Sequence, residues 1–202
     1  KNRWRTIRMI PFMPTWQSYV AHTTGPMFSP EQCKLIINAG HQQKPQQAKV
    51  GGGKGGKHDT KKRVTTISWI PFKKMPEMYK VIENQISRIN LNHFMFDGVR
   101  LTEPAQFTEY PKGGFYDWHM DLNPFGQTGE HPIRKISMTC LLSDPSEFTG
   151  GDLTFDDAGK NKIKLKQGQG VFFASFMRHR VEPVKKGIRQ SLVMWFGGPP
   201  FK

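Results

Sequence analysis

The sequence predicts a mainly β fold with flanking helices, an α+β domain whose strands form a sandwich or a double-sheet jelly roll. Helical periodicity is confined to the first half, strand-like runs follow one another closely from Gln106 onward, and glycines separate those runs. The 20 Gly and 15 Pro also suit a turn-rich β protein better than a helical bundle. With 202 residues, the chain can form one domain with a real core, whereas two full domains would be cramped.

Two helices are predicted in the first half of the chain. Residues 1–28 are interrupted by Pro and predict an irregular arm or a short first strand. The first helix begins after Ser29, a suitable N-cap that is followed by Pro30, and Gly40 predicts its end. Apolar residues at helical spacing predict a second helix over residues 76–90.

A basic, Gly-rich segment separates the two helices. Residues 44–63 contain five Gly and seven Lys or Arg, a composition that cannot pack a core, so we expect a mobile loop. Residues 64–70 then predict a strand, because they are rich in β-branched side chains.

The second half of the chain predicts a succession of short strands. Their turns are marked by glycines, including Gly113-Gly114, Gly150-Gly151 and Gly187. The predicted strands are Gln106–Tyr110, Lys135–Leu142, Asp152–Phe155, Lys162–Leu165, Val171–Ala174, Arg180–Val184 and Gln190–Phe196.

Charge and cysteine content limit the setting and the partners. The formal net charge of +14 suits an anionic partner such as nucleic acid, but it equally suits a basic surface that keeps the protein in solution. No apolar run of about 18 residues occurs, so we expect no membrane association. Cys33 and Cys140 cannot form a disulfide framework, which favours the cytoplasm, or the host cytoplasm if the protein is viral.

One His-x-Asp triplet, His119-Met-Asp121, offers two metal ligands. On a strand, residues i and i+2 point to the same side, so the imidazole and the carboxylate could reach one ion. A single short triplet arises easily by chance. A third ligand from a distant His would complete a two-His, one-carboxylate triad, which leaves open positions on iron for O₂ chemistry.

A second cluster near the C-terminus supplies that histidine and an arginine. His179 begins one predicted strand and Arg189 begins the next, so hairpin pairing should bring the two residues together. Strand alternation places Arg189, Ser191 and Trp195 on one face. An inward Arg is costly unless a carboxylate pairs with it, although an Arg at a sheet edge could instead extend its head to solvent.

Residues 104–197 resemble the prolyl 4-hydroxylase-like branch of the 2-oxoglutarate/Fe(II)-dependent dioxygenases, including bacterial and viral hydroxylases. Several elements match in order: Tyr110, Tyr116, His119-x-Asp121, Gly150-Gly151-Asp-Leu-Thr-Phe155, Gly168-x-Gly170, His179-x-Val181-x-Pro183, Gly187-x-Arg189 and Trp195.

The resemblance implies a double-stranded β-helix, the cupin-like form of the jelly roll. It implies one dioxygenase domain over residues 1–202, with N-terminal helical support in 1–103, the mobile basic loop at 44–63 and the catalytic core at 104–197.

The resemblance also implies the site. Fe(II) would be held by His119, Asp121 and His179, and the cosubstrate 2-oxoglutarate by Arg189 and Tyr110, with ascorbate as a candidate additional cofactor. Tyr116 and Trp195 would contact substrate, although either could equally be a core aromatic. An Arg rather than a Lys at position 189 resembles the oxygen-sensing and bacterial members, and Asp121 argues against the halogenating relatives.

Three functions compete at this level. The resemblance favours hydroxylation of a peptidyl residue, proline first, so that the partner is a peptide or protein. A dioxygenase acting on nucleic acid or a small molecule is the alternative that the charge suggests, but relatives that demethylate nucleic acid carry a second Arg where this chain has Trp195. The third is a non-enzymatic basic β module that binds nucleic acid or carbohydrate, which would make the His, Asp and Arg constellation a coincidence.

Overall fold

The structure, a computed structural model, describes residues 18–48, 59–122, 132–157 and 161–201. Two α-helices lie in the first half, α1 (Pro30–His41) and α2 (Pro76–Ile89), and a π-helical turn follows α2 at Asn90–Phe94. The strands, in chain order, are β1 (Val20–His22), β2 (Gln46–Gln47), β3 (Arg63–Val64), β4 (Thr66–Ile70), β5 (Arg100–Leu101), β6 (Ala105–Tyr110), β7 (Phe115–His119), β8 (Ile133–Leu141), β9 (Thr149–Gly150), β10 (Leu153–Phe155), β11 (Lys162–Ile163), β12 (Gly170–Ala174), β13 (His179–Val181), β14 (Val184–Lys186) and β15 (Arg189–Gly198).

The strands form two main antiparallel sheets, as a jelly roll requires. The larger sheet has the order β1-β12-β8-β15-β6-β4-β2, with β5 paired to the end of β15. The smaller sheet has the order β11-β10-β13-β7-β3, and β14 pairs with β9 in a separate ribbon. The prediction of a mainly β jelly roll with flanking helices is therefore confirmed.

Two apolar clusters hold the fold together. The first lies between the helices and the larger sheet, and it joins Ile36 and Ile82 of the helices to Met138, Leu192 and Phe196 of the strands. The second lies between the two sheets and is formed by Tyr110, Leu153, Phe155, Val171, Phe173, Val181 and Val184. Alternation along β15 therefore sends even-numbered residues toward the helices, which leaves Arg189 and Ser191 on the opposite face.

The first helix begins as the sequence predicts but does not end there. Ser29 caps it, and its side chain and that of Gln32 form a reciprocal capping box. The helix continues through Gly40 because this glycine serves a packing role: a Cβ there would lie 2.3 Å from the Phe107 ring. None of the helices in the described residues has the length and apolar character that a membrane span needs.

Three local expectations were wrong. The strand predicted over 64–70 is interrupted at Thr65, so that β3 joins the smaller sheet and β4 the larger. The predicted loop 44–63 is strand at both ends, in β2 and at Arg63, while the mobility prediction falls on residues 49–58, which lie outside the described residues. The predicted hairpin between His179 and Arg189 does not form, because β13 pairs with β7 and β10 whereas β15 pairs with strands of the other sheet.

Candidate active site

Two histidines lie opposite each other on neighbouring strands of the smaller sheet. His119 ends β7, His179 begins β13, and the antiparallel register pairs them directly, with ring centroids 4.2 Å apart. Asp121 lies beyond the end of β7, and its backbone N–H donates to the carbonyl oxygen of Ser175 at 3.0 Å. Asp121 therefore follows the strand rather than lying on it, and its carboxylate lies on the same side as the His119 ring, beside both histidines.

The three side chains converge on one point. The Nε2 atoms of His119 and His179 each lie 3.7 Å from a carboxylate oxygen of Asp121. One ligand atom from each residue lies within 4.8 Å of the other two. Ligand atoms that share a divalent ion at about 2.0–2.2 Å lie roughly 3–4 Å apart, so this set fits a metal with little movement.

Both histidines are oriented by hydrogen bonds to the main chain. The Nδ1–H of His119 donates to the carbonyl oxygen of Asp117 at 2.7 Å, and that of His179 donates to the carbonyl oxygen of Met177 at 2.9 Å. A carbonyl oxygen can only accept, so Nδ1 carries the hydrogen in each ring. The lone pair of each Nε2 is then free for a metal, the tautomer that a histidine ligand needs.

The electrostatics of the site favour the metal-binding protonation states. Burial, together with the charges of His179 and Arg63, lowers the pKa of His119. Burial alone would raise the pKa of Asp121, but the two histidines and a hydrogen bond from Ser137 hold that pKa below its ordinary value. At neutral pH the site thus presents a neutral imidazole at His119 and a carboxylate at Asp121.

Two serines that the sequence left unassigned support this carboxylate. Ser137, on β8, bonds Asp121 and shares a 2.9 Å hydrogen bond with the hydroxyl of Ser175. Both serines are fully buried. A buried serine on an apolar strand is a signal in the sequence, but the identity of its partner depends on how the sheets pack.

Arg189 forms a second polar centre between the sheets. It is only 3% exposed, it pairs in register with Tyr110, and its Nη1 donates to the hydroxyl of Ser191 at 3.1 Å. In the described part of the chain no carboxylate lies within ion-pair distance of its guanidinium. Burial lowers the pKa of Arg189 although the charge of Asp152 acts in the opposite direction, and a carboxylate ligand would supply the ion-pair partner that the described residues do not provide.

A cavity of about 290 Å³ reaches Arg189. The residues that also line it include Gly151, Asp152, Leu153, Ile163 and Lys164, whereas the three candidate metal ligands do not line it. The candidate metal centre therefore lies where its three ligands converge, and the cavity is a separate space beside the Arg189 guanidinium.

The two predicted substrate residues occupy different surroundings. The Tyr116 ring stacks on the His119 ring, with 3.5 Å between centroids and 15° between planes, and burial raises the pKa of Tyr116 to about 12. Trp195 is 7% exposed, and the Arg134 guanidinium lies 3.8 Å from the centroid of its ring. The indole Nε1 of Trp195 is buried without a hydrogen-bond partner among the described residues.

The other histidines do not join the triad where the structure describes them. His41 pairs with Glu109 at 2.8 Å, and neither His22 nor His93 belongs to a group of three ligands. His58 and His131 lie outside the described residues.

Comparison with known proteins matches the part of the chain that contains this site. Residues 105–197 match the model of the 2OG-Fe(II) oxygenase superfamily. A PKHD-type hydroxylase of Parvibaculum lavamentivorans is 40% identical over 95 residues, which are 46% of this chain and 42% of that protein. The chain thus spans less than half the length of that curated relative.

Solved structures share the fold over most of the chain. The viral collagen prolyl hydroxylase of Paramecium bursaria Chlorella virus-1, in complex with 2OG, has a TM-score of 0.70 at 22% identity, covering 90% of this chain and 97% of that one. A prolyl hydroxylase from Trichoplax adhaerens, in complex with a hypoxia-inducible factor peptide fragment, has a TM-score of 0.64 at 16% identity, covering 89% and 83%. Residues 105–197 therefore match the 2OG-Fe(II) oxygenase superfamily, and the fold of the chain is similar to that of solved prolyl hydroxylases.

Proposed function

We propose that this protein is a dioxygenase that uses Fe(II) and 2-oxoglutarate to hydroxylate a proline residue in a peptide. Fe(II) is held by His119, Asp121 and His179, and 2-oxoglutarate by Arg189 and Tyr110. The observation that carries the proposal is the convergence of two Nε2 atoms and one carboxylate on a single point.

The chemistry comes from the bound groups, and the protein places them. Fe(II) and 2-oxoglutarate together supply the oxidation that inserts one atom of O₂ into a C–H bond, while the oxoacid loses CO₂ and becomes succinate. His119, Asp121 and His179 would supply three ligands to the metal, fewer than it can take, so that the oxoacid and O₂ could also bind. The main-chain hydrogen bonds at Nδ1 keep both imidazoles in the binding tautomer.

In this proposal, Arg189 binds the cosubstrate 2-oxoglutarate. Its buried guanidinium neutralises the distal carboxylate of the oxoacid, and its planar fork can bind both carboxylate oxygens. Ser191 fixes one end of the guanidinium, and Tyr110 lies opposite Arg189 on the neighbouring strand, near enough to contact the same ligand.

The surroundings of Trp195 support a peptide as substrate. A buried indole N–H requires an acceptor, and a main-chain carbonyl of a bound peptide can supply one. Arg134, which covers this ring and forms two hydrogen bonds to the carboxylate of Glu103, adds a further donor group at the same place. The two structural neighbours described above are both prolyl hydroxylases, and one of them holds a peptide.

The test is turnover with competing substrates. We expect proline-containing peptides, incubated with the protein, Fe(II), 2-oxoglutarate and ascorbate, to gain one oxygen atom while succinate forms in equal amount. Succinate formation that is stimulated by DNA or RNA and not by proline peptides would show that the substrate is nucleic acid. That result would contradict the proposed peptide substrate but not the proposed metal site.

Salt dependence separates the same two substrates at the binding step. Four phosphate contacts would give a slope of log K against log salt of roughly −3 to −4. Neutralising Lys54, Lys57, Lys61 and Lys62 together should remove most of such a slope if the substrate is nucleic acid. For a peptide we expect a shallow slope and only a several-fold loss of affinity.

A further inference from the structure

A β-bulge in β7 places Tyr116 on the same side of the strand as His119. The register with β13 pairs His179 with His119 and Val181 with Tyr116, so β7 advances three residues while β13 advances two. Regular alternation would put residues 116 and 119 on opposite faces. The extra residue instead turns both side chains inward, and their rings stack face to face at 3.5 Å.

The other face of Tyr116 is covered by Arg63. This arginine lies on β3, whose register pairs it with Tyr116, and its guanidinium carbon is 4.3 Å from the centroid of the phenol ring. The backbone N–H of Asp117 donates to the carbonyl oxygen of Lys62 at 2.8 Å, which ties the two strands at the bulge. Guanidinium, phenol and imidazole therefore form one stacked column that ends at a metal ligand.

We propose that Tyr116, held in place by Arg63, is a positioning residue for the His119 imidazole. The hydrogen bond from Nδ1 to Asp117 fixes the tautomer and anchors one edge of the ring, but the ring can still swing about that bond. A flat ring packed on its face removes this motion and keeps Nε2 directed toward Asp121. This inference rests on the proposed metal site.

The proposed positioning role of Tyr116 differs from the substrate contact that the family resemblance implies. If Tyr116 acts on substrate, its loss should weaken peptide binding and leave the affinity for metal unchanged. If it orients His119, its loss should weaken metal binding before any substrate is present. Groups that orient a metal ligand typically change metal affinity by about 10–100-fold.

Calorimetric titration of the metal-free protein with Co(II), without 2-oxoglutarate or peptide, separates the two roles. We expect Tyr116→Leu to weaken Co(II) binding about tenfold or more, and Tyr116→Phe, which keeps the ring, to stay within about threefold of the wild type. Wild-type affinity in the Leu variant would overturn the proposal. Equal loss in the Leu and Phe variants would also overturn it, because the hydroxyl rather than the ring would then matter.

The wild type and Asp121→Ala show whether the metal site itself is correct. If the wild type does not bind Co(II), or if the Asp121→Ala variant binds it as tightly as the wild type, both the metal site and the positioning role are wrong. If Asp121→Ala abolishes Co(II) binding while Tyr116→Leu does not weaken it, only the positioning role is wrong.

The contribution of Arg63 is tested by NMR on the metal-free protein. The Tyr116 ring should shift the His119 ring-proton resonances through its ring current, and Arg63→Ala should reduce that shift because the phenol loses its outer cover. Lys62→Ala is the matched control, since it removes an adjacent exposed charge outside the column. Indistinguishable His119 resonances in the two variants would contradict the role of Arg63, and this readout stands even if Tyr116→Leu does not fold.

Discussion

Replacing Arg189 with Met should remove 2-oxoglutarate binding while sparing the metal site. Arg189 is 3% exposed and, in the described residues, its guanidinium has no carboxylate within ion-pair distance. Its attraction to the oxoacid therefore acts with little screening by water. Truncating one partner of a buried, hydrogen-bonded charge pair costs about 2–5 kcal/mol. At about 1.4 kcal/mol per factor of ten, the Kd for 2-oxoglutarate should rise roughly 30-fold or more.

The assay is calorimetric titration of 2-oxoglutarate into Mn(II)-loaded protein, with Mn(II) affinity measured separately. Arg189→Lys should give an intermediate Kd, because Lys keeps the charge but not the planar fork. Arg180→Met is the control: Arg180 lies on β13, is more exposed and pairs with Glu182 at 3.0 Å, so this change should leave the Kd unaltered.

The same substitution has an opposite effect on the ligand-free fold. An uncompensated buried charge destabilises a protein, so metal-free Arg189→Met should melt at the wild-type temperature or above it. An unchanged 2-oxoglutarate Kd would refute the assignment of Arg189. A much lower melting temperature would contradict our view that, among the described residues, the cation has no ion-pair partner in the free protein.

The metal-free protein should lose stability as pH falls from about 6.5 toward 3, because the pKa of His119 is lowered from 6.5 to about 3 and the unfolded chain binds this proton first. The lowered pKa of Asp121 also reduces stability as pH falls below about 3.8. In thermal melts, His119→Gln should flatten the part of the stability-against-pH curve that lies above that pH. An unchanged curve in this variant would contradict the lowered pKa of His119. Gly40→Ala should destabilise the fold by about 1–3 kcal/mol despite the better helix propensity of Ala, because its Cβ would lie 2.3 Å from Phe107. Urea unfolding tests this against Gly25→Ala, which meets nothing within 4 Å, and equal midpoints would contradict the packing role of Gly40.

Features that depend on neighbouring residues in the chain could be predicted from the sequence. The cap at Ser29 and the apolar periodicity of α2 are local, and both occur where the sequence predicts them. Gly40 misled the prediction because a glycine can end a helix or admit a close neighbour, and only the packing of α1 on the larger sheet decides which.

Part of the site could be predicted from the sequence, because the chemistry of a side chain depends only on its residue type. The residue types alone indicate that metal or anion binding is possible at His119, Asp121, His179 and Arg189. The structure brings the first three of these together. The hairpin invoked to join His179 and Arg189 was wrong, because the choice of partner strand is a property of the whole fold.

The supporting residues could not be predicted. Ser137 forms a hydrogen bond with Asp121, which lies on a different part of the chain. Arg63 contacts the Tyr116 ring only because the chain passes from the smaller to the larger sheet after β3. The stack of Tyr116 on His119 also depends on a bulge that strand alternation does not indicate.

The most direct test of the proposed active site is an anaerobic titration of Fe(II) into protein that is saturated with 2-oxoglutarate, followed by the iron-to-oxoacid charge-transfer absorption. That band requires a bound metal and a chelated oxoacid at the same centre. We expect it to saturate at one iron per chain in the wild type and to be absent after His179→Ala or Asp121→Ala. No band in the wild type, or an undiminished band in either variant, would contradict a centre built from His119, Asp121 and His179.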